Sequence, residues 1–203
     1  LLERSTSGRG QVIDAAMTDG AAVLATSLHS MVAAGAWSDR RGSNLLDGGA
    51  YFYGVYECAD GGYVSIGSIE PQFHAMLFDK LGLTPPPKQF DPRGWPAMKA
   101  QIAARLRERT RAEWCALMEG TDVCFAPVLT MSEAAAHPHN VERGLVIDVA
   151  GIRQPAPAPR FSRTPGAVQR PPAHPGQHTR EVLEEWGFAA SEIDTLLAAG
   201  AVK

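Results

Sequence analysis

Residues 56–73 read YECADGGYVSIGSIEPQF, and this stretch decides the fold. Residues 51–58 and 63–68 are rich in aromatic and β-branched side chains and flank Ala59-Asp60-Gly61-Gly62. A tight turn that matches the twist of two antiparallel strands needs positive φ at its centre, which Asp-Gly supplies with little strain, so a hairpin is predicted. Pro71 suits the first turn of a following helix, where its missing N–H would have had no partner anyway. Phe73, Met76, Leu77 and Leu81 give that helix its apolar stripe, and Gly82 ends it. Ile69 and Glu70 therefore stand at a strand-to-helix junction.

Downstream, Pro85, Pro86 and Pro87 form a stiff loop, and Met98, Ile102 and Leu106 mark a second amphipathic helix. Thr110-Arg111-Ala112-Glu113 is a capping box that opens a helix through Trp114, Leu117 and Met118, and Thr130 to Glu133 repeats the device. Between them residues 123–128 read as a buried strand. Residues 46–131 accordingly form a small α/β domain. Pro155, Pro157, Pro159, Pro165, Pro171, Pro172 and Pro175 make the next segment extended, draped over a surface instead of packed in a core. Two short helices follow at 179–186 and 191–198, with Thr179 and Ser191 as their expected caps.

Upstream, Leu1-Leu2-Glu3-Arg4 reads as the last turn of a helix, and Gly8 and Gly10 close the loop after it. That short start, with no initiator Met, leads us to expect further sequence before Leu1. Across residues 11–35 apolar side chains fall on more than one helical face: Val12, Ala16, Val23, Leu28 and Met31, with Ile13, Met17 and Leu24 beside them. A helix apolar nearly all round is a buried one, so a larger structure is expected to cover it.

A length of 203 residues accommodates one domain with a sizeable core or two small ones. The hydrophobic fraction of 45% and charged fraction of 20% are those of a folded soluble protein. Nineteen basic against 22 acidic residues, a net charge of -3 without charge runs, argue against a nucleic-acid partner. No stretch approaches the roughly 18 apolar residues of a membrane span. Cys58, Cys115 and Cys124 are an odd number at no ligand-like spacing, which favours free thiols and a cytoplasmic setting.

The usual catalytic signatures are absent. There is no GxSxG elbow, phosphate-binding GxxxxGK[ST] loop or HExxH pair. Gly8-Arg9-Gly10 follows loop residues where a dinucleotide fingerprint needs a strand. His137-Pro138-His139 has poor geometry for a shared metal and no third ligand nearby, so no metal site is expected. His29 and His74 read as core or surface histidines. Glu70 stands apart: backbone on both sides fixes a carboxylate at a sheet end, where clefts commonly form. On physics alone, the reading as a helix N-terminal Glu favoured by the macrodipole carries more weight. Alone it could not take a proton from a weak carbon acid and return one to the opposite face, which needs a second base and enolate stabilisation.

Several segments carry a family likeness in order and spacing: SGRGQVIDAAM at 7–17, RGSNLLDGGA at 41–50, the stretch at 56–73, RAEWCALMEGTDVCFAPVLT at 111–130 and HNVERG at 139–144. Together they resemble the α-methylacyl-CoA racemases, a branch of the family III CoA-transferase fold, and IEPQF points to the racemase branch. The resemblance implies an α/β fold in which residues 46–131 are the small domain. Residues 1–45 would be large-domain helix and connector, and 132–203 would return the chain to the large domain. It implies an interlocked homodimer and a 2-methylacyl-CoA substrate, with no cofactor beyond the CoA of the thioester itself.

The implied reaction removes the α-proton from one face of the thioester and replaces it on the other, using a His within a Gly-His-Asp stretch and an Asp. None of the six histidines here stands between Gly and Asp. Those bases are expected upstream of this chain, which alone would then be inactive. Glu70 carries over as the carboxylate that hydrogen-bonds the catalytic His and supports its charged form. Met17, Leu45, Tyr53 and Ile69 match positions near the acyl pocket. Tyr51 stands where the family usually has proline and is expected to alter the pocket mouth. Two alternatives stay open: a family III CoA-transferase with a covalent Asp, and a remnant without turnover.

Overall fold

In the computed structural model, which describes residues 1–203, the chain reverses at Gly61, whose φ of 76° is the left-handed backbone the turn demands. Strands β1 (Tyr53–Glu57) and β2 (Tyr63–Gly67) pair antiparallel, with Tyr53 opposite Gly67 and Glu57 opposite Tyr63. Cys58 N–H donates to Gly62 O at 2.8 Å and closes the hairpin. Strand β3 (Phe125–Val128) pairs antiparallel with the free side of β2, so the order is β1-β2-β3. The expected buried strand at 123–128 is thus an edge strand: Val123 is buried, but Ala126 and Val128 are exposed. Pro127, which has no N–H for a ladder, belongs at such an edge. A short apolar run has the same composition at an edge as in a centre, so its pattern does not separate the two.

Helix α4 (Pro71–Leu81) opens on Pro71 and ends at Gly82 with φ 65°. It buries His74, Leu77, Phe78 and Leu81, the i, i+3, i+4, i+7 set of one face. Its stripe is rotated from the predicted one, since Phe73 and Met76 are only half-buried. Helix α5 (Trp95–Leu106) buries Trp95, Met98, Ile102 and Leu106. Helix α6 (Arg111–Met118) has the predicted capping box between Thr110 and Glu113 and buries Trp114 and Met118. These faces and the inner side chains Tyr56, Val64 and Ile66 of the sheet close over Tyr51 and Phe52 to form one core. Burying each large side chain contributes about 1.5–3 kcal/mol, an upper-end figure relative to an extended chain. Trp114 Nε1 donates to Leu106 O at 2.8 Å, so its one polar atom is satisfied inside that core.

The single buried helix expected over 11–35 is not present. Helix α1 (Leu2–Ser7) is followed by irregular chain, then by α2 (Met17–Leu24) and α3 (Thr26–Ala33), which break at Ala25. Neither α2 nor α3 buries a residue, and Val12 and Met17 are 98% and 91% exposed. No element of residues 1–203 covers these apolar side chains.

Two compact units are distinguished, Leu1–Val128 and Leu129–Lys203. In the second, α7 (Met131–Ala136) carries the predicted Thr130–Glu133 capping box, and α8 (Pro138–Glu142) follows at once. An unforeseen hairpin comes next, β4 (Val146–Val149) with β5 (Ile152–Pro155). Ala150 and Gly151 turn it with φ of 55° and 80°, and Asp148 Oδ1 accepts Gly151 N–H at 2.9 Å. Residues 156–178 contain no helix or strand and are mostly exposed. Helices α9 (Thr179–Glu185) and α10 (Ala190–Ala198) close the chain. Their N-caps are His178 and Ala189, not Thr179 and Ser191; at α10 the Glu192 carboxylate takes the Ala189 N–H instead, at 2.7 Å.

Candidate functional site

The turn from β2 into α4 is held from every side. Alternation along β2 puts Ser68 in phase with buried Val64 and Ile66, so its hydroxyl is forced inward and needs a partner. It donates to Val123 O at 2.5 Å. Gly67 N–H donates to Cys124 O at 2.8 Å, and Ile69 N–H folds back to Gly67 O at 2.9 Å. Gln89 Nε2, from the loop before α5, donates to Ile69 O at 2.7 Å. Glu70 follows as the N-cap residue of α4, with φ -70° and ψ 143°. Its own carbonyl accepts the His74 N–H at 2.9 Å and starts the helix.

The Glu70 carboxylate is not used by this helix. It caps no α4 amide, and Pro71 removes the first donor it could have met. The side chain is exposed on a backbone that is fixed. It is close enough to Cys124 that its charge, with that of Asp122 and after the larger effect of burial, pushes the Cys124 thiol up. Such an arrangement can accept a hydrogen bond from a cationic or N–H group brought to it, orient that group and favour its charged form.

Beside the junction lies an open groove of about 540 Å³ on the face of the sheet, lined among others by Leu46, Tyr53, Val55, Cys124, Phe125 and Ala126. Gly67, three residues before Glu70, is part of its wall. One end of the groove is built by the loop 38–50. The Asp47 carboxylate accepts the N–H groups of Gly42 at 3.0 Å, Asn44 at 2.8 Å and Gly49 at 3.2 Å, and the Asn44 side-chain amide at 2.7 Å. Partial burial alone would raise its pKa, but these bonds outweigh that and hold the carboxyl below the ordinary carboxylate range. Only glycine fits at 49, because a Cβ there would lie 2.6 Å from Asn44 O. Lys99 Nζ donates to Gly48 O and ties this loop to α5.

The residues expected near an acyl pocket are not gathered in one place. Tyr53 lines the groove. Leu45 and Ile69 are partly buried against the core and contribute nothing to its lining. Met17 lies on α2, in a separate shallow groove with Val23 and Leu24. Tyr51 is not at a pocket mouth: it is 1% exposed within the core, its hydroxyl 2.7 Å from His74 Nε2. Gln89 and Ser68 were missed from sequence. Ser68 carried a signal, its phase with two apolar neighbours; Gln89 carried none, since its partner is a backbone carbonyl twenty residues away.

No group of three or more His, Cys, Asp and Glu side chains is arranged to hold a metal ion, and no helix is long and apolar enough to cross a membrane.

Comparison with known proteins gives this geometry a setting. The family model described as CoA-transferase family III matches residues 1–179. The α-methylacyl-CoA racemase of Mus musculus is 46% identical over 198 residues, which cover 95% of this chain and 52% of that protein. The human α-methylacyl-CoA racemase is 44% identical over 202 residues, with the same shares covered. The chain spans about half the length of these curated relatives. A crystal structure of a CaiB/BaiF family protein from Brucella suis superposes with a TM-score of 0.69 at 21% identity, covering 91% of this chain and 50% of that one. The likeness is one of fold.

Proposed function

The chain belongs to CoA-transferase family III, and on that footing we propose that the protein containing it racemises 2-methylacyl-CoA thioesters. The 44–46% identity to two α-methylacyl-CoA racemases supports this branch of the family over acyl transfer. One base breaks the α-C–H bond, the electron pair moves into the thioester as an enolate, and a second conjugate acid protonates the opposite face. The chemistry calls for no cofactor, because CoA is part of the substrate.

Glu70 is neither base in this reading. It receives the ring N–H of a catalytic histidine from outside residues 1–203, fixes its tautomer and supports the imidazolium. The observation that carries this role is a carboxylate held on rigid backbone and left uncommitted by its own helix. Residues 46–131 serve as the small domain of an interlocked homodimer, flanked by parts of the large domain at 1–45 and 132–203. Tyr53 contacts the acyl chain from the groove, and Met17, Leu45 and Ile69 shape its surroundings. Three free cysteines support a reducing, cytoplasmic setting.

The full-length protein is tested by incubating a single epimer of a 2-methylacyl-CoA in deuterium oxide. Deuterium at C2 together with appearance of the other epimer is expected. CoA transfer to an added carboxylic acid without α-exchange would make the protein a transferase. Neither reaction would mark a non-catalytic relative.

A further inference from the structure

The Glu70 carboxylate caps no amide of its own helix, so its direction depends on the backbone that delivers it. The carbonyl of Ile69 belongs to the peptide unit that also carries the nitrogen and Cα of Glu70, and that unit is planar and rigid. Gln89 Nε2 donates to this oxygen at 2.7 Å and lies 3.4 Å from Ser68 O. Both neighbours are carbonyl oxygens, so the NH2 end of the Gln89 amide must face them. On the other side of Glu70, Pro71 confines ψ of the preceding residue to the extended range, and 143° is observed. The pyrrolidine ring limits ψ of Glu70, and the Gln89 hydrogen bond holds the peptide plane that carries its nitrogen and Cα.

Gln89 is itself anchored. Trp95 Nε1 donates to its backbone carbonyl at 2.9 Å, and Trp95 is buried at the start of α5. Next in sequence, Phe90 stands edge-on to Phe52 at 5.5 Å between ring centres. The loop before α5 is thereby latched onto the junction through a single side chain.

We infer that Gln89 is a positioning residue for the proposed reaction, setting the direction of the Glu70 carboxylate by holding the peptide plane that enters it. This rests on the role assigned to Glu70 above and deepens it. Gln89 touches neither substrate nor reacting atoms.

The test is a double-mutant cycle in the full-length protein. Gln89→Met keeps the side-chain length and removes both donors. It is expected to lower kcat for α-proton exchange roughly tenfold, while KM changes less than about twofold. In a Glu70→Gln background the same substitution is expected to lower kcat no further, because the group it positions is already gone. All four proteins are assayed well below their melting midpoints, which removes any contribution from unfolding. An unchanged kcat in Gln89→Met, or a full tenfold loss repeated in the Glu70→Gln background, overturns the inference. An unchanged kcat in Glu70→Gln alone overturns the reading of Glu70 and the inference with it, and that single-variant result separates the two failures.

Discussion

The Tyr51 hydroxyl and His74 Nε2 lie 2.7 Å apart inside the core of the Leu1–Val128 unit, and both side chains are buried. Burial pushes the phenol up to about 12 and holds the imidazole below its ordinary value. The pair is therefore a phenol against a neutral ring.

This pairing makes stability depend on pH in one direction. With the folded pKa depressed, the unfolded chain takes the His74 proton first as pH falls, so stability is full above about 6.5 and is lost as pH drops from there towards the folded value. Urea unfolding at pH values of about 7.5 and 5.5 is expected to give a lower midpoint at the acid end. In His74→Gln that difference should shrink; an identical difference in both proteins would remove His74 as its source.

Gly49 is held to glycine by backbone that cannot move aside, since a Cβ would lie 2.6 Å from both Asn44 O and Ser43 C. Gly49→Ala is expected to cost about 2 kcal/mol or more and to loosen the loop that Asp47 organises. Gly10, where a Cβ would meet nothing within 4 Å, provides the control. Gly10→Ala should leave the unfolding midpoint where it is, and equal losses in both variants would argue against the steric explanation.

Thr110 opens α6 by accepting the Glu113 N–H at 3.3 Å, while the Glu113 carboxylate accepts the Thr110 N–H at 2.8 Å. Thr110→Ala is expected to lower stability by about 1 kcal/mol and Thr110→Ser to retain most of it. Chemical denaturation of the three proteins checks the order, and a Ser variant as weak as Ala would point to the lost methyl instead of the cap.

Much of the sheet and its helices was legible because local chemistry and tertiary packing agree there. Asp60-Gly61 can scarcely do other than turn a hairpin, and Thr110 with Glu113 writes a helix start in the residues themselves. Burial was less legible. The apolar character of residues 11–35 is real, but burial needs a partner surface, and Val12 and Met17 have none within this chain. The run 123–128 could not announce that it lies at an edge. The hairpin of β4 and β5 escaped notice because its strands are four residues each and turn on Ala150-Gly151, a weaker signal than Asp-Gly. At the candidate site, Glu70 could be singled out from its place between a strand and Pro71. The hydrogen bonds that hold the junction could not, since Gln89 Nε2 donates to the Ile69 carbonyl and the Ser68 hydroxyl to the Val123 carbonyl, and such main-chain acceptors leave no mark on residue identity.

The role proposed for Glu70 is tested most directly by the pH dependence of kcat/KM for α-proton exchange, comparing the full-length protein with its Glu70→Gln variant in the direction where the proposed histidine base takes the proton. A carboxylate that supports the imidazolium raises the histidine pKa, so its loss should move the acidic limb to lower pH while kcat falls. An acidic limb at the same pH in both proteins would show that Glu70 does not act on that histidine.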